Sequence, residues 1–235
     1  MVNQIEKEPL VSVIMATLNA DKFISDALTS IFAQTYPRIE IILIDGQSTD
    51  NTKNIVAQYP HIKFISQAGK GLFDAWNQGI NMSKGEFVAI LDSDDYWEPT
   101  TISNHLIALM QDDTKLGSIG HVQFFIEANQ TPPPEFKLSL LAQSHLAYMP
   151  GCFVGRRAIF DKIGYYETDW KVASDIIWFA KLKELKEEIV LLDQVVLHKR
   201  VHNQNVSYTS VEEDVYGSEL LKLLHEKIRQ RNNAS

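Results

Sequence analysis

FVAILDSDDYW, residues 87–97, carries an apolar run of five straight into Asp92, Asp94 and Asp95 and then into two aromatics. A short apolar run bounded by polar residues is the pattern of a strand buried on both faces. Such strands belong to parallel sheets covered by helices on each side. Carboxylates this close repel one another, and a chain does not collect them at the end of a buried strand without a counter-ion. Asp92 and Asp94 stand two apart, so in an extended segment they project to the same side and their oxygens converge on a hard cation. Mg2+ or Mn2+ takes one or two carboxylates and fills its remaining positions with water and substrate phosphate. The expected positive partner is therefore a divalent metal, and behind it a diphosphate. An N-cap for the next helix would explain Asp95 but not Asp92.

Working outward, the first hundred residues alternate between two periods. LVSVIMAT (10–17), IEIILID (39–45), IKFIS (62–66) and EFVAILD (86–92) read as strands, and 20–34, 48–59 and 73–82 read as helices, with Ser48 or Asp50 capping the second. Alternating strands and helices predict an α/β fold, with a mostly parallel central sheet and helices on both faces. Ligands of such sheets bind outside the carboxyl ends of the strands. Three polar clusters fall at those ends: ATLNAD (16–21), DGQSTD (45–50) and DSDD (92–95). The second half is less regular, with helices expected at 98–111, 156–164, 174–186 and 215–231, strand-like stretches at 117–128 and 189–201, and a loop at TPPPEF (131–136).

The chain has 235 residues, 45% of them hydrophobic, enough for one large domain. Its formal net charge of −8 disfavours a nucleic-acid partner. Cys152 is the single cysteine, which excludes a disulfide framework and a cysteine-based zinc site. The polar N-terminus lacks a signal-peptide apolar region, and no apolar run approaches the ~20 residues that span a bilayer. The expected location is the cytoplasm.

SVIMATLNADKFISDALTSIFAQTYPRIEIILIDGQSTDNT and GKGLFDAWNQGINMSKGEFVAILDSDDYW together resemble the opening and middle of family 2 glycosyltransferases, of GT-A fold. The likeness is dense over 10–98 and thinner over 150–207. It implies a 10–98 nucleotide-sugar-binding half, a 99–210 irregular acceptor-binding half and a 211–235 C-terminal helix within one domain. It also implies inverting transfer from a nucleotide-diphosphate sugar, UDP-linked, to a hydroxyl of a glycan or lipid-linked acceptor in surface polysaccharide synthesis, as a hexosyl- or N-acetylhexosaminyltransferase. Thr17, Asn19 and Asp45 match positions around the nucleotide, and an Asp carboxylate can accept the N3–H of uracil or thymine. Lys70 is placed for phosphate, Asp74 and Asn77 for ribose or sugar hydroxyls, and Asp92 and Ser93 for the donor. Asp94 is the expected ligand of Mn2+ or Mg2+, with His202 reaching phosphate or completing the metal shell, and Arg200 pairing with phosphate. Asp175, in VASDIIWFA, is the candidate base, with an N-terminal capping role as its bland alternative. A peripheral contact with the inner face of the membrane, through the C-terminal helix, and a homodimer are compatible with the sequence.

Other readings meet specific obstacles. A dinucleotide-binding fold needs G-x-G-x-x-G after strand one, and MATLNADKF has no glycine. An EF-hand needs Gly at its sixth and Glu at its twelfth loop position. Dehalogenase-like phosphatases carry Asp-x-Asp after the first strand, not the fourth. A sugar nucleotidyltransferase needs a glycine-rich loop after strand one. A non-catalytic nucleotide-sugar-binding module stays as the alternative from another class, with Asp175 as the argument against it.

Overall fold

The computed structural model describes residues 8–171 and 173–205. The expected C-terminal helix (215–231) and its membrane contact lie outside the described residues. Strands β1 (Val11–Thr17), β2 (Ile39–Asp45), β3 (Ile62–Ser66) and β4 (Phe87–Ile90) are interleaved with helices α1 (Ile24–Phe32), α2 (Thr52–Val56) and α3 (Leu72–Met82). After the two-residue strand β5 (Tyr96–Trp97) come α4 (Thr101–Met110), β6 (Gly117–Phe125), β7 (His145–Leu146), β8 (Phe153–Arg156), α5 (Ala158–Ile163), α6 (Ser174–Glu184) and β9 (Ile189–Arg200). Among the described residues no helix is long and apolar enough to cross a membrane.

Among the described residues all nine strands join one sheet in the order β3-β2-β1-β4-β8-β6-β9-β5, with β7 on β6. β1 to β4 pair in parallel, and the antiparallel β8 separates β4 from β6, which pairs in parallel with β9. This makes β9 run the same way as β1. Its last residues therefore arrive at the same edge as Thr17, Asp45 and the 91–95 turn, although all three lie far away in sequence.

Strand alternation sends side chains to two cores. Val11, Val13, Met15, Ile41 and Leu43 pack with α1 and α4 on one face. Ile14, Ile42, Ile44 and Val88 pack with Phe73, Trp76 and Ile80 of α3 and with Trp178, Phe179 and Leu182 of α6 on the other. Each fully buried Leu, Ile or Val contributes about 1.5–3 kcal/mol, and helices on both faces bury most of the residues of β1, β2 and β4. Five expected helices are shorter, α1 and α2 the most. α1 begins at Ile24 because the Ala20 carbonyl accepts both the Phe23 and Ile24 N–H groups at 3.0 Å, closing a turn first. α2 is five residues long and unwinds through 57–61.

Candidate active site at the carboxyl ends of the strands

Register sets Thr17 directly beside Asp45 at the ends of β1 and β2. Asp45 is fully buried, accepts the Ser48 N–H at 3.2 Å on both carboxylate oxygens and lies 3.7 Å from Lys53 Nζ. Thr17 is buried, and its Oγ1 has no partner among the described residues. Asn19, in the left-handed region with φ 51°, stitches the two polar loops together: its N–H donates to Ser48 Oγ and its Oδ1 accepts the Thr49 N–H, both at 2.9 Å. The result is a rigid, polar floor with a buried carboxylate and an unused hydroxyl.

Along the next wall, Lys70 is exposed in the loop before α3. Asp74, on the first turn of α3, accepts from Gln67 Nε2 at 3.2 Å and sits so close beneath Gly69 that a Cβ there would meet its carboxylate at 2.3–2.5 Å. Asn77 spends its amide on protein: Nδ2 donates to the Tyr166 carbonyl at 2.7 Å, and Oδ1 accepts the Tyr166 N–H at 3.1 Å.

The acidic turn contains a cation that the sequence reading did not single out. Asp92, Asp94 and Asp95 have oxygens within 4.8 Å of one another. Lys199 Nζ reaches among them, 2.9 Å from Asp95 and 3.6 Å from Asp92. Part of the compensating charge thus comes from β9. Asp95 is 1% exposed and accepts both Lys199 and the Arg200 N–H, each at 2.9 Å, so it is an anchor for the turn. Asp94 accepts from His202 Nε2 and Asn205 Nδ2, both at 3.0 Å. The Gln204 N–H lies 3.2 Å from His202 Nδ1, which assigns Nδ1 as acceptor and the ring proton to Nε2, facing Asp94.

Each carboxyl group here is tuned by its surroundings. Burial, with the Asp94 charge beside it, pushes Asp92 up against the pull of Lys199. Burial and the two neighbouring carboxylates push Asp95 up to about 7, again against Lys199. Burial opposes the charge of Asp94, yet the His202 bond and Lys199 hold it below its ordinary value. Burial also works against Lys199, but Asp95, Asp92 and Asp94 hold it well above its ordinary value. Asp92 and Asp94, half-buried at the open side of the turn with Ser93 between them, keep capacity for a ligand.

Arg200 is used differently from the sequence reading. Its Nε donates to the Asp94 carbonyl at 2.9 Å, and its two Nη groups pair with Asp26 and Glu127. Phe23 and Phe125 sandwich the guanidinium at 5.0 and 4.9 Å. At 3% exposed, it ties the acidic turn to α1 and the end of β6.

Asp175 sits on the first turn of α6, whose N-cap position is Ala173, so it does not serve as the cap. Its Oδ1 accepts the Ile176 N–H at 2.8 Å. Burial first, and then the charge of Asp92, raise it to about 6. That coupling places Asp175 within electrostatic reach of the acidic turn. Lys199, Asn205 and Asp26 escaped the sequence reading. Only Lys199 left a trace, as the first of two adjacent cations interrupting the apolar strand VVLHKRV.

Residues 12–164 match the sequence model of Glycosyl transferase family 2. The chain belongs to that family. It is 31% identical over 218 residues to an uncharacterised glycosyltransferase of Rickettsia typhi, covering 86% of this chain and 67% of that one. It is 40% identical over 100 residues to the Escherichia coli UDP-Glc:alpha-D-GlcNAc-diphosphoundecaprenol beta-1,3-glucosyltransferase WfaP, covering 41% of this chain and 40% of that one. The fold matches the mannosyltransferase PcManGT from Pyrobaculum calidifontis, solved with GDP-Man and Mn2+, with a TM-score of 0.66 and 22% identity over 95% of this chain and 65% of that one. The family 2 chain described here therefore has the GT-A fold, and it spans about two thirds or less of the length of these relatives.

Proposed function

We propose that this family 2 chain transfers a sugar from a nucleotide-diphosphate sugar, UDP-linked, to a hydroxyl of a glycan or lipid-linked acceptor in surface polysaccharide synthesis, with inversion at the anomeric carbon. The observation that carries the reading is Asp175: a half-buried carboxylate on the first turn of α6, raised to about 6 by burial and by the charge of Asp92 in the acidic turn. A base whose pKa lies close to the working pH is both largely deprotonated and able to hold the proton it takes.

In this proposal Thr17 and Asp45 receive the base of the nucleotide, where the buried Asp45 carboxylate accepts the N3–H of uracil. Asp92 takes a ribose or donor-sugar hydroxyl. Asp175 removes the proton of the acceptor hydroxyl as that oxygen bonds to the anomeric carbon. The bond from that carbon to the diphosphate oxygen breaks on the opposite face, and its electron pair leaves with the diphosphate. Asp94 is the residue to hold Mn2+ or Mg2+, since a carboxylate with open positions suits these hard ions. Such an ion, when bound, neutralises charge developing on the diphosphate. His202 orients Asp94 in its present tautomer, and as a ligand it would first give up its Nε2 proton. The Escherichia coli relative, named for UDP-Glc and an undecaprenol-linked acceptor, supports the donor and acceptor classes, and the Mn2+ complex of PcManGT supports the metal.

The test is hydrolytic UDP release from UDP-glucose with Mn2+, water standing in for the acceptor hydroxyl that Asp175 deprotonates, by the wild type and Asp175→Asn. Asn keeps the oxygen that accepts the Ile176 N–H, so melting temperature and nucleotide affinity stay unchanged. kcat falls by roughly a hundredfold to ten-thousandfold, the worth of a general base. A near-wild-type rate removes Asp175 from the chemistry.

A further inference from the structure

Tyr166 is 3% exposed, and its hydroxyl has no hydrogen-bond partner among the described residues. The ring lies among Phe73, Trp76 and Trp178, at centroid distances of 6.0, 5.2 and 5.3 Å. A phenylalanine would make these same ring contacts. The hydroxyl therefore adds nothing to packing, and a buried polar group without a partner destabilises the fold.

The rest of the residue is held with care. The Asn77 amide grips the Tyr166 N–H and carbonyl at 3.1 and 2.7 Å, fixing the segment before α6 to the helix that carries Asp74. After burial, the charges that act on the phenol are those of Asp175 and then Asp92, and together they raise its pKa well above the ordinary value. The group is thus kept as an O–H, a donor, and the ring that carries it packs against Trp178, three residues on from Asp175 and so on the same side of α6. Asp175 itself has the Ile176 N–H on its Oδ1, and its other oxygen can still accept.

We infer that Tyr166 is a positioning residue for the base: with the donor bound, its hydroxyl donates to Asp175 and fixes that carboxylate toward the attacking hydroxyl, whether of the acceptor or of a water that takes its place, while Asn77 aims the phenol. The inference rests on the reading of Asp175 as base. It also accounts for an amide that the sequence placed on the substrate and the structure places on Tyr166.

The experiment compares wild type, Tyr166→Phe, Asp175→Asn and the double variant of the full chain, using UDP-glucose with Mn2+. Tyr166→Phe loses roughly tenfold in kcat, the net worth of one hydrogen bond to a charged group, with KM for UDP-glucose within about twofold because binding is not touched. Its melting temperature equals or exceeds that of wild type, since an unsatisfied hydroxyl has gone. In the Asp175→Asn background the same change adds no further loss, because the group it acts through is already absent. A wild-type kcat in Tyr166→Phe overturns the inference. So does a loss accompanied by a lower melting temperature, which marks a packing role, and so does a loss undiminished in the double variant. A wild-type rate in Asp175→Asn alone brings down the base assignment itself, and this inference with it.

Discussion

Lys199 shows how one side chain decides the character of the acidic turn. Three carboxylates within 4.8 Å need positive charge whether or not a ligand is present. Lys199 supplies it by contact with Asp95 and Asp92. Surface ion pairs are worth little, but this one is sheltered, and removing one member of a buried pair leaves an uncompensated charge. Lys199→Met keeps the length and apolar stem of the side chain and deletes the charge. The folded state is expected to lose roughly 3–5 kcal/mol by urea denaturation, with Mn2+ restoring part of the loss through the freed carboxylates. An unchanged midpoint would mean that Asp95 is satisfied by the Arg200 N–H alone. Arg200 teaches the complementary lesson. A basic residue near a phosphate-binding site is readily read as a phosphate ligand, but its donors meet Asp94, Asp26 and Glu127, and all three lie far off in sequence.

Helix α3 is the element on which both halves of the site depend. Its inner face carries Phe73, Trp76 and Ile80 into the core, its first turn carries Asp74, and Asn77 reaches across to Tyr166. Gly79 lets it lie against β1, since a Cβ there would sit 2.4 Å from Ile14 Cγ2. Gly79→Ala should therefore destabilise, although alanine is the better helix former. The clash costs about 1–3 kcal/mol, against about 1 kcal/mol gained in propensity. A rise in melting temperature would show that the helix can back away. Elements like α3 and β1 to β4 were legible because their apolar periodicity is local, and the sequence reading placed β2 and β3 to the residue. β5, β7 and β8 were not foreseen. They have two to four residues each, too short to show a period, and only their partners make them strands.

Taken whole, the molecule explains why the site was half legible. Thr17, Asp45 and the 92–95 turn follow the adjacent parallel strands β1, β2 and β4, so the strand-end rule for a parallel sheet brings them together. Lys199, His202 and Asn205 join them only because β9 returns beside β6, a pairing that no local pattern reports. The same return buries groups that the site does not use, and one of them governs behaviour in acid. His105 of α4 is 0% exposed, shares a 2.7 Å hydrogen bond between its Nδ1 and Ser118 Oγ of β6, and has no partner at Nε2 among the described residues. Burial lowers its pKa to about 3. The folded state therefore refuses a proton that the unfolded chain accepts below about 6.5, so its contribution is intact above that pH and is lost progressively as pH falls toward 3. Asp95 and Asp175, raised to about 7 and about 6, act in the opposite sense over pH 4–7, because there the folded state holds protons that the unfolded chain has released. The net slope of the wild type thus mixes the two signs, and a variant is needed to separate them. His105→Asn removes only the histidine. Between pH 7.5 and pH 5 the wild type should lose about 2 kcal/mol more than the variant, the free energy of protonating one histidine in the unfolded state at pH 5. Urea midpoints of both proteins at the two pH values give the difference directly. Parallel losses would show that His105 takes up its proton without unfolding, and that α4 can open enough to let water reach it.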